Sequence, residues 1–340
     1  MSKAELSRIT GISAPTILKI IDYFIKIGCV VEVGEGDAAL GRKPQMLRLN
    51  SQAAFAIGVE FNGFEIKMGI VDMAGEICKL RVEAAVPSFK KVIGIELVGK
   101  LKELIAESKI PTDKILGVCI GVPGVINPES RTIDLAPLEG VTESTDYARI
   151  IEDLTRHLNM PVIIENDANA AVIGEFHCRG FGNRDDLLFI LIGKGIGAGI
   201  IFDGKIRRGR SLVAGEIGYM VFDEKSVTDK KQEGWLEKKL NLDLLMQSRN
   251  NVPEEYFDTI AANLALVIVN ICVPLEINHI VLGHIIDERF DTRLLERINT
   301  YVRSLSVLDL ICQFPLCREP VIAGCANLVM EPVLDRILTD

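Results

Sequence analysis

The sequence predicts an α/β protein with a small helical segment at its N-terminus and a larger body of two lobes. The first 50 residues show helical periodicity followed by two strand-like segments. Strand and helix patterns alternate from Ala54 onwards, and a comparable progression begins again near Asp186. The 340 residues suffice for one small domain and one larger, two-lobed domain with a hydrophobic core.

The formal charge of −9 is unevenly distributed along the chain. Residues 1–50 carry seven Lys and Arg against five Asp and Glu, so this segment is about +2 and the remainder about −11. DNA is attracted to a basic segment and repelled by an acidic body. The N-terminal segment is therefore the one part whose charge suits nucleic acid.

Two helices are predicted in this segment, from Lys3 to Thr10 and onwards from Ser13 to about Ile27. Gly11 favours a tight turn between them, and Ser13 is placed to cap the second helix. The second helix combines an apolar stripe at i, i+3, i+4 and i+7 with a polar face. The stripe is Ile17, Ile20, Ile21 and Phe24, and the polar face is Thr16, Lys19, Tyr23 and Lys26. This order indicates a helix-turn-helix, whose second helix fits the major groove of DNA.

A β-hairpin is predicted next, with strands Val30 to Val33 and Met46 to Leu49. Its loop ends in Gly41-Arg42-Lys43-Pro44, a basic tip that can reach phosphates or the minor groove. The segment is therefore interpreted as a winged helix-turn-helix domain. The predicted DNA-binding residues are Ser13, Thr16, Lys19, Arg42 and Lys43.

One alternative to DNA binding stays open for this segment: a solvated hairpin tip and a helical hairpin that serves as an oligomerisation arm.

The segment also departs from most winged domains, which have a helix before the one that begins here at Lys3. We expect either that the true start lies upstream or that the DNA-binding module is incomplete.

The body is predicted to hold two mixed sheets with a cleft between them, where small polar ligands prefer to bind. In the first lobe, strands are predicted for Ala54 to Val59, Ile66 to Val71, Ile77 to Ala84 and Ile115 to Gly121, with a helix from Lys91 to Glu107. In the second lobe, strands are predicted for Leu187 to Ile192 and Gly199 to Phe202, followed by a hairpin turn at Asp203-Gly204.

Cysteine usage and hydropathy predict a cytoplasmic protein without a membrane partner. The cysteines sit singly, with no C-x-x-C pair, which is typical of reduced, buried thiols. They are Cys29, Cys78, Cys119, Cys178, Cys272, Cys312, Cys317 and Cys325. No signal-peptide pattern opens the chain, and the apolar stretch Ile260 to Leu275 is short and contains Asn263 and Asn270. We interpret it as a core or subunit-interface helix.

Six segments follow one another in an order that is more specific than any one of them. They are the helix-turn-helix with Gly41-Arg42-Lys43-Pro44, Gly121-Val122-Pro123-Gly124, Glu165-Asn166-Asp167-Ala168-Asn169-Ala170-Ala171, Gly195-Ile196-Gly197-Ala198-Gly199, Ala214-Gly215-Glu216-Ile217-Gly218 and Gly234-Trp235-Leu236-Glu237. In this order they resemble the repressor branch of the ROK (repressor, ORF, kinase) family over nearly the entire chain.

The resemblance implies a two-lobed actin-like, hexokinase-like fold after the winged helix-turn-helix. The implied domains are residues 1–50, a first lobe at 51–167 and a second lobe at 168–320 with a dimer interface. The C-terminal helix, about 321–340, is expected to return to the first lobe.

A sugar site is predicted around Asn166 and Asp167, which end a short apolar strand that begins at Pro161. An amide beside a carboxylate can hold vicinal hydroxyls, and sheets of this class place ligands at the carboxyl ends of strands. The resemblance adds Gly124, Glu216, Tyr219 and Glu237 to the sugar site. A helix N-cap is the alternative role for Asp167.

The metal and nucleotide motifs of the family are altered, so we expect no zinc and no ATP. Glu216-Ile217-Gly218-Tyr219 replaces E-x-G-H, the cysteine-rich loop is absent, and Trp235 stands at the last cysteine of the zinc site. The phosphate loops read Glu60-Phe61-Asn62-Gly63-Phe64 and Gly193-Lys194-Gly195, and the purine loop reads Ile280-Val281-Leu282-Gly283-His284. Lys194 is the ambiguous change, because lysine can bind phosphate.

These motifs predict a sugar-responsive transcriptional regulator, as a homodimer or higher homo-oligomer, that binds operator DNA and a small sugar effector. No catalytic residue is expected. The alternative is an ATP-dependent sugar kinase, in which the resemblance makes Asp167 the general base.

Overall fold

A computed structural model of the chain describes residues 1–35, 43–62, 65–84, 93–127, 129–134, 145–193, 195–222, 234–241, 253–283 and 288–339. Their strands form a hairpin near the N-terminus, two five-stranded sheets in the body and a three-stranded sheet. The predicted α/β class is therefore confirmed.

The N-terminal segment folds as the periodicity predicts. Helices α1 (Lys3–Thr10) and α2 (Ala14–Lys26) precede the antiparallel strands β1 (Val30–Glu35) and β2 (Gln45–Leu49). The Ser13 hydroxyl accepts a hydrogen bond from the Thr16 backbone N–H, which confirms the predicted cap of α2. A small core forms where Ile17 and Ile21 of α2 meet Leu47 of β2.

Helices cover both faces of the first body sheet because its central strand, β3 (Phe55–Phe61), is apolar on both faces. Phe55, Ile57 and Val59 pack against a helix on one face of the sheet, and Ala56 and Gly58 lie on the opposite face. The sheet order is β10-β6-β3-β4-β5. The strands are β3 (Phe55–Phe61), β4 (Glu65–Asp72), β5 (Ile77–Ala84), β6 (Ile115–Val122) and β10 (Val162–Asn166), and the covering helix is α3 (Ile95–Ser108).

A three-stranded sheet and one helix stand between β6 and β10 in the chain. They are β7 (Val125–Asn127), β8 (Thr132–Asp134), β9 (Thr145–Asp146) and α4 (Ala148–Leu158).

The second body sheet repeats the plan of the first. The first three strands of each sheet are consecutive in the chain and antiparallel to one another. Two further strands, which run parallel to the first of the three, extend the sheet on that side and give the order β13-β12-β11-β14-β15 in the second sheet. Asp203 and Gly204 have φ of 51° and 68°, which confirms the predicted hairpin turn. The strands are β11 (Leu187–Ile192), β12 (Ile196–Phe202), β13 (Lys205–Ile206), β14 (His279–Leu282) and β15 (Ile311–Gln313).

Strand β12 begins three residues earlier than the predicted Gly199. Ile196, Gly197 and Ala198 pair with Ile192, Leu191 and Ile190 of β11, so cross-strand hydrogen bonding overrides the weak strand preference of the glycines.

Helices α6 (Trp235–Leu240), α7 (Glu254–Leu275) and α8 (Glu288–Leu305) follow the second lobe's first three strands. Among the described residues, α7 is the helix whose length and composition would allow a membrane span. Its residues Phe257, Ile260, Leu264 and Ile268 are buried in the core of the second lobe, together with α8. The apolar stretch is therefore part of a core helix, one of the two interpretations given for it, and this helix begins at Glu254.

Two helices that touch each other connect the sheets. Helix α5 (Asp167–Cys178) packs on β11 and β12, and α9 (Pro320–Thr339) packs on β3, β6 and β4. They approach closely because Gly174 and Gly324 present no side chain at the crossing. A Cβ atom at Gly324 would lie 1.7 Å from the carbonyl oxygen of Ala170.

The variant Gly324→Ala is expected to lower the free energy of unfolding by about 1–3 kcal/mol or more, because the added methyl group overlaps the backbone of α5. Gly99→Ala is the matched control, since Gly99 lies in helix α3 and a Cβ there meets nothing within 4 Å. The control should raise the free energy of unfolding by about 0.4–1 kcal/mol. Urea unfolding measures both, and equal effects of the two variants would contradict the assigned helix crossing.

Candidate functional site

A polar cleft lies where the carboxyl ends of the adjacent parallel strands β6 and β10 face the segment after β13. Open sheets of this class place ligands at such strand ends. The empty space in the cleft, which includes space open to solvent, is about 300 Å³. Its lining residues are Gly124, Ile126, Glu165, Asn166, Asn169, Arg208, Leu212, Ala214 and Glu216.

Asn166 joins the strand, the helix and the neighbouring turn. Its Oδ1 accepts from the Asn169 backbone N–H at 2.9 Å, and its Nδ2 donates to the Gly124 carbonyl oxygen at 2.9 Å. Asn166 is thus the N-cap of α5, a role the sequence analysis had weighed for Asp167. Gly124 has φ of 116°, a conformation that favours glycine.

Asp167 is the first residue of α5 and lies in the same polar region. Its Oδ1 accepts a hydrogen bond from the Ala168 backbone N–H at 2.8 Å. Burial raises the pKa of the Asp167 carboxyl to about 6, and the negative charge of Glu216 adds to the rise while the Ala168 N–H opposes it. The raised pKa means that the folded protein holds the neutral acid more readily than the unfolded chain does.

Glu216 lines the cleft, whereas Glu237 sits behind it. Burial, and then the charge of Glu237, raise the pKa of Glu216. Glu237 is buried, and its two oxygens accept from the backbone N–H groups of Gly234 at 3.0 Å and Ile196 at 3.3 Å. Its carboxylate therefore joins two backbone segments and does not line the cleft.

Tyr219 closes the short 3-10 turn that follows Glu216 and is 40% exposed. Burial raises the pKa of its hydroxyl, with smaller contributions from the charges of Glu237 and Glu216. The structure thus brings Gly124, Asn166 and Glu216 together in the cleft lining, whereas Asp167, Tyr219 and Glu237 are not lining residues.

Three lining residues with polar side chains were not among the predicted site residues: Glu165, Asn169 and Arg208. Glu165 Oε2 accepts from Arg208 Nη2 at 2.6 Å and from Arg208 Nε at 3.2 Å. Glu165 Oε1 accepts from Asn169 Nδ2 at 3.1 Å. Glu165 and Asn169 both belong to the motif Glu165 to Ala171, which was therefore a usable signal for them. Arg208 lies 43 residues away in sequence, and no local pattern singles it out.

Glu60, the first residue of the altered phosphate-loop motif, takes part in an internal ion pair. Glu60 on β3 and Lys67 on β4 are cross-strand partners, and Lys67 Nζ lies 3.8 Å from Glu60 and 3.0 Å from Glu319. Burial raises the pKa of Glu60 to about 7 although Lys67 opposes the rise. Gly63, Phe64, Lys194 and His284, which the sequence analysis singled out, lie outside the described residues.

The altered zinc motif places an aromatic contact where the resemblance has a cysteine. The Trp235 and Phe222 rings lie 4.8 Å apart between centroids. Within the described ranges, no group of three or more His, Cys, Asp and Glu side chains is arranged to hold a metal ion.

The predicted DNA-binding side chains lie on the exposed side of the N-terminal segment. Thr16 and Lys19 are exposed on α2, and Lys43 is exposed just before β2. The hydroxyls of Ser13 and Thr16 are 2.8 Å apart and hydrogen-bonded to each other. Arg42 lies outside the described residues.

Residues 56–234, just over half of the chain, match the model of the ROK family. A xylose repressor from Caldicellulosiruptor bescii is 33% identical over 220 residues, which are 64% of this chain and 54% of that protein. The chain spans about half the length of the curated relatives it matches.

Two solved structures show the same fold. A ROK family transcriptional regulator, described as a homologue of the Escherichia coli MLC protein, has a TM-score of 0.75 and 18% identity over 100% of this chain and 93% of that one. A ROK family glucokinase from Streptomyces griseus, solved with glucose and AMPPNP, has a TM-score of 0.63 and 19% identity over 82% of this chain and 100% of that one. The predicted two-lobed, actin-like fold is confirmed, and the chain belongs to the ROK family.

Proposed function

We propose that the chain is a cytoplasmic, sugar-responsive transcriptional regulator, acting as a repressor, that binds operator DNA and does not phosphorylate its sugar. The observation that carries this proposal is the presence in one chain of an exposed helix bearing Thr16 and Lys19 and of a polar cleft between two lobes. Similarity to a protein named xylose repressor supports it.

The N-terminal segment supplies the DNA contact in this proposal. Helix α2 is anchored through its apolar side and through the ion pair of Lys3 with Asp22 at 2.7 Å, so its polar side is left exposed. We expect Arg42 and Lys43 to contact the DNA backbone. A homodimer, or a higher homo-oligomer, presents two such segments to a palindromic operator.

The cleft supplies the sugar response. Asn166 and Asp167 belong to the junction of β10 with α5, and Glu216 belongs to the second lobe's segment, so a bound sugar contacts both parts. Such a ligand favours one arrangement of the lobes. If it lowers the affinity for operator DNA, bound operator lowers the affinity for the sugar by the same factor. A tenfold change needs about 1.4 kcal/mol of differential binding, which one or two hydrogen bonds supply.

The ion pair of Lys67 with Glu60 supports the proposal that no ATP or metal cofactor is used. Glu60 stands where the family motif has an aspartate near the metal, and its carboxylate already has a lysine partner. A magnesium ion at Glu60 would be repelled by the Lys67 ammonium. Zinc is likewise not expected, since Trp235 occupies a ligand position of the motif.

A sugar kinase is the second candidate, and the chemistry of Asp167 favours it. A carboxyl with a pKa of about 6 is suited to take a proton from a sugar hydroxyl near neutral pH. The fold shared with a glucokinase is compatible with this activity.

The double variant Arg42→Ala/Lys43→Ala should weaken binding to every DNA sequence and flatten its dependence on salt, by about one unit of the log–log slope per lost phosphate contact. Fluorescence anisotropy on DNA selected from a random library by the wild type measures this slope. Lys102→Ala, at an exposed lysine of α3, is the control and should leave the slope unchanged. An unchanged slope in the double variant would refute the wing contact.

The variant Asp167→Ala should keep its affinity for the selected DNA and lose the response to sugar. It should not lower thermal stability at pH 7.5, because the ionised carboxylate is disfavoured in the fold above pH about 6. Asn166→Ala is the contrasting variant and should lower stability by about 1 kcal/mol through loss of the helix cap. A full sugar response in Asp167→Ala would exclude Asp167 from the effector site.

Calorimetry should detect sugar binding without nucleotide and no heat from ATP, because the phosphate and purine motifs of the family are altered in this sequence. A coupled phosphorylation assay with D-xylose and D-glucose should show no turnover. Turnover of either sugar, or sugar binding that requires ATP, would contradict the regulator proposal and support the sugar kinase instead.

A further inference from the structure

The polar groups that line the cleft are rich in hydrogen-bond acceptors and poor in cations. Glu165 and Glu216 contribute carboxylates, and Asp167 lies near enough to Glu216 to respond to its charge. Among the described lining residues, Arg208 is the one cation. Two carboxylates therefore remain in excess when all four groups are ionised.

The guanidinium group of Arg208 is already paired with the carboxylate of Glu165. Two of its N–H groups donate to Glu165 Oε2, while Oε1 of the same carboxylate accepts from the Asn166 backbone N–H at 3.0 Å and from Asn169 Nδ2 at 3.1 Å. The Glu165 side chain is 13% exposed and that of Arg208 36%. Short, charge-assisted bonds of this kind hold the guanidinium in place. The pair also joins β10 of the first sheet to the segment after β13 of the second.

We propose that the Glu165–Arg208 ion pair sets the charge preference of the cleft, which takes an uncharged, hydroxyl-rich sugar and excludes sugar phosphates and sugar acids. This inference rests on the proposed function, because it names the class of sugar that the same cleft binds. With Arg208 paired to Glu165, the net charge left among the described lining residues and the neighbouring Asp167 is that of Asp167 and Glu216, which repels an anionic ligand. Clefts with walls of low dielectric concentrate such a field.

Asn169 gives an independent reason for a ligand that donates hydrogen bonds. Its side chain lines the cleft, the residue is 8% exposed, and its Oδ1 has no hydrogen-bond partner among the described residues. A buried acceptor without a donor is costly, so a group that donates to it is favoured. Sugar hydroxyls donate, whereas an ionised phosphate or carboxylate group only accepts.

The test is calorimetry with neutral sugars and their anionic counterparts: D-xylose and D-glucose against D-xylonate and glucose 6-phosphate. The wild type should bind a neutral sugar at least tenfold more tightly than its anionic counterpart. Glu165→Gln keeps an oxygen for the Asn166 and Asn169 N–H groups but frees Arg208, so anion affinity should rise at least tenfold. Glu165→Gln/Arg208→Gln should lose that gain, and Glu152→Gln, at an exposed carboxylate of α4, should behave as the wild type.

A measurement on the wild type alone covers the case in which Glu165→Gln fails to fold. Raising the ionic strength screens the excess negative charge, so the discrimination against the anionic sugars should shrink with added salt. Discrimination that does not change with salt would overturn the inference.

The remaining outcomes separate this inference from the proposed function. Wild-type binding of an anionic sugar as tight as that of its neutral counterpart, or a folded Glu165→Gln variant without a gain, overturns the inference and leaves a sugar-binding regulator standing. Binding of none of the four sugars contradicts the proposed function itself.

Discussion

The close contact of helices α5 and α9 is the constraint on which the rest of the structure depends. One helix rests on the second sheet and the other on the first, so their crossing fixes how the lobes meet. The crossing requires glycine at 174 and 324, where a Cβ atom would lie 2.1 Å and 1.7 Å from a backbone oxygen of the facing helix. Because α5 begins at the cleft, this packing also places Asn166, Asp167 and Asn169.

The N-terminus of α5 explains the chemistry of the cleft. Asn166 satisfies the first turn of the helix and holds the Gly124 turn, so the two strand ends stay in register. The partial positive charge of a helix N-terminus favours a carboxylate such as Asp167, yet burial and Glu216 raise its pKa. Burial thus outweighs the backbone N–H groups that stabilise the Asp167 carboxylate.

The two sides of the cleft differ in what their acidic groups contact. On the proposed sugar side, the pKa values of Glu216 and Asp167 are raised, and neither carboxylate forms an ion pair with another described residue. On the phosphate side, Lys67 lies between Glu60 and Glu319. This asymmetry agrees with the proposal that the cleft binds a sugar and no nucleotide.

The sequence by itself determined the features that depend on interactions between neighbouring residues of the chain. Period-2 and period-3.6 apolar patterns identified the helices and strands, Ser13 identified a cap, and Asp203-Gly204 identified a hairpin, because these features depend on neighbours in the chain. Only the tertiary structure decided that Asn166 rather than Asp167 caps α5, that Glu237 binds two backbone N–H groups behind the cleft, and that Arg208 pairs with Glu165. Both Asn and Asp can cap a helix, so the choice depends on the residue at which β10 stops pairing with β6. The Glu165–Arg208 pair and the contact of the Glu237 carboxylate with the Ile196 backbone each join segments more than 40 residues apart. They form only when both sheets are packed on the crossed helices.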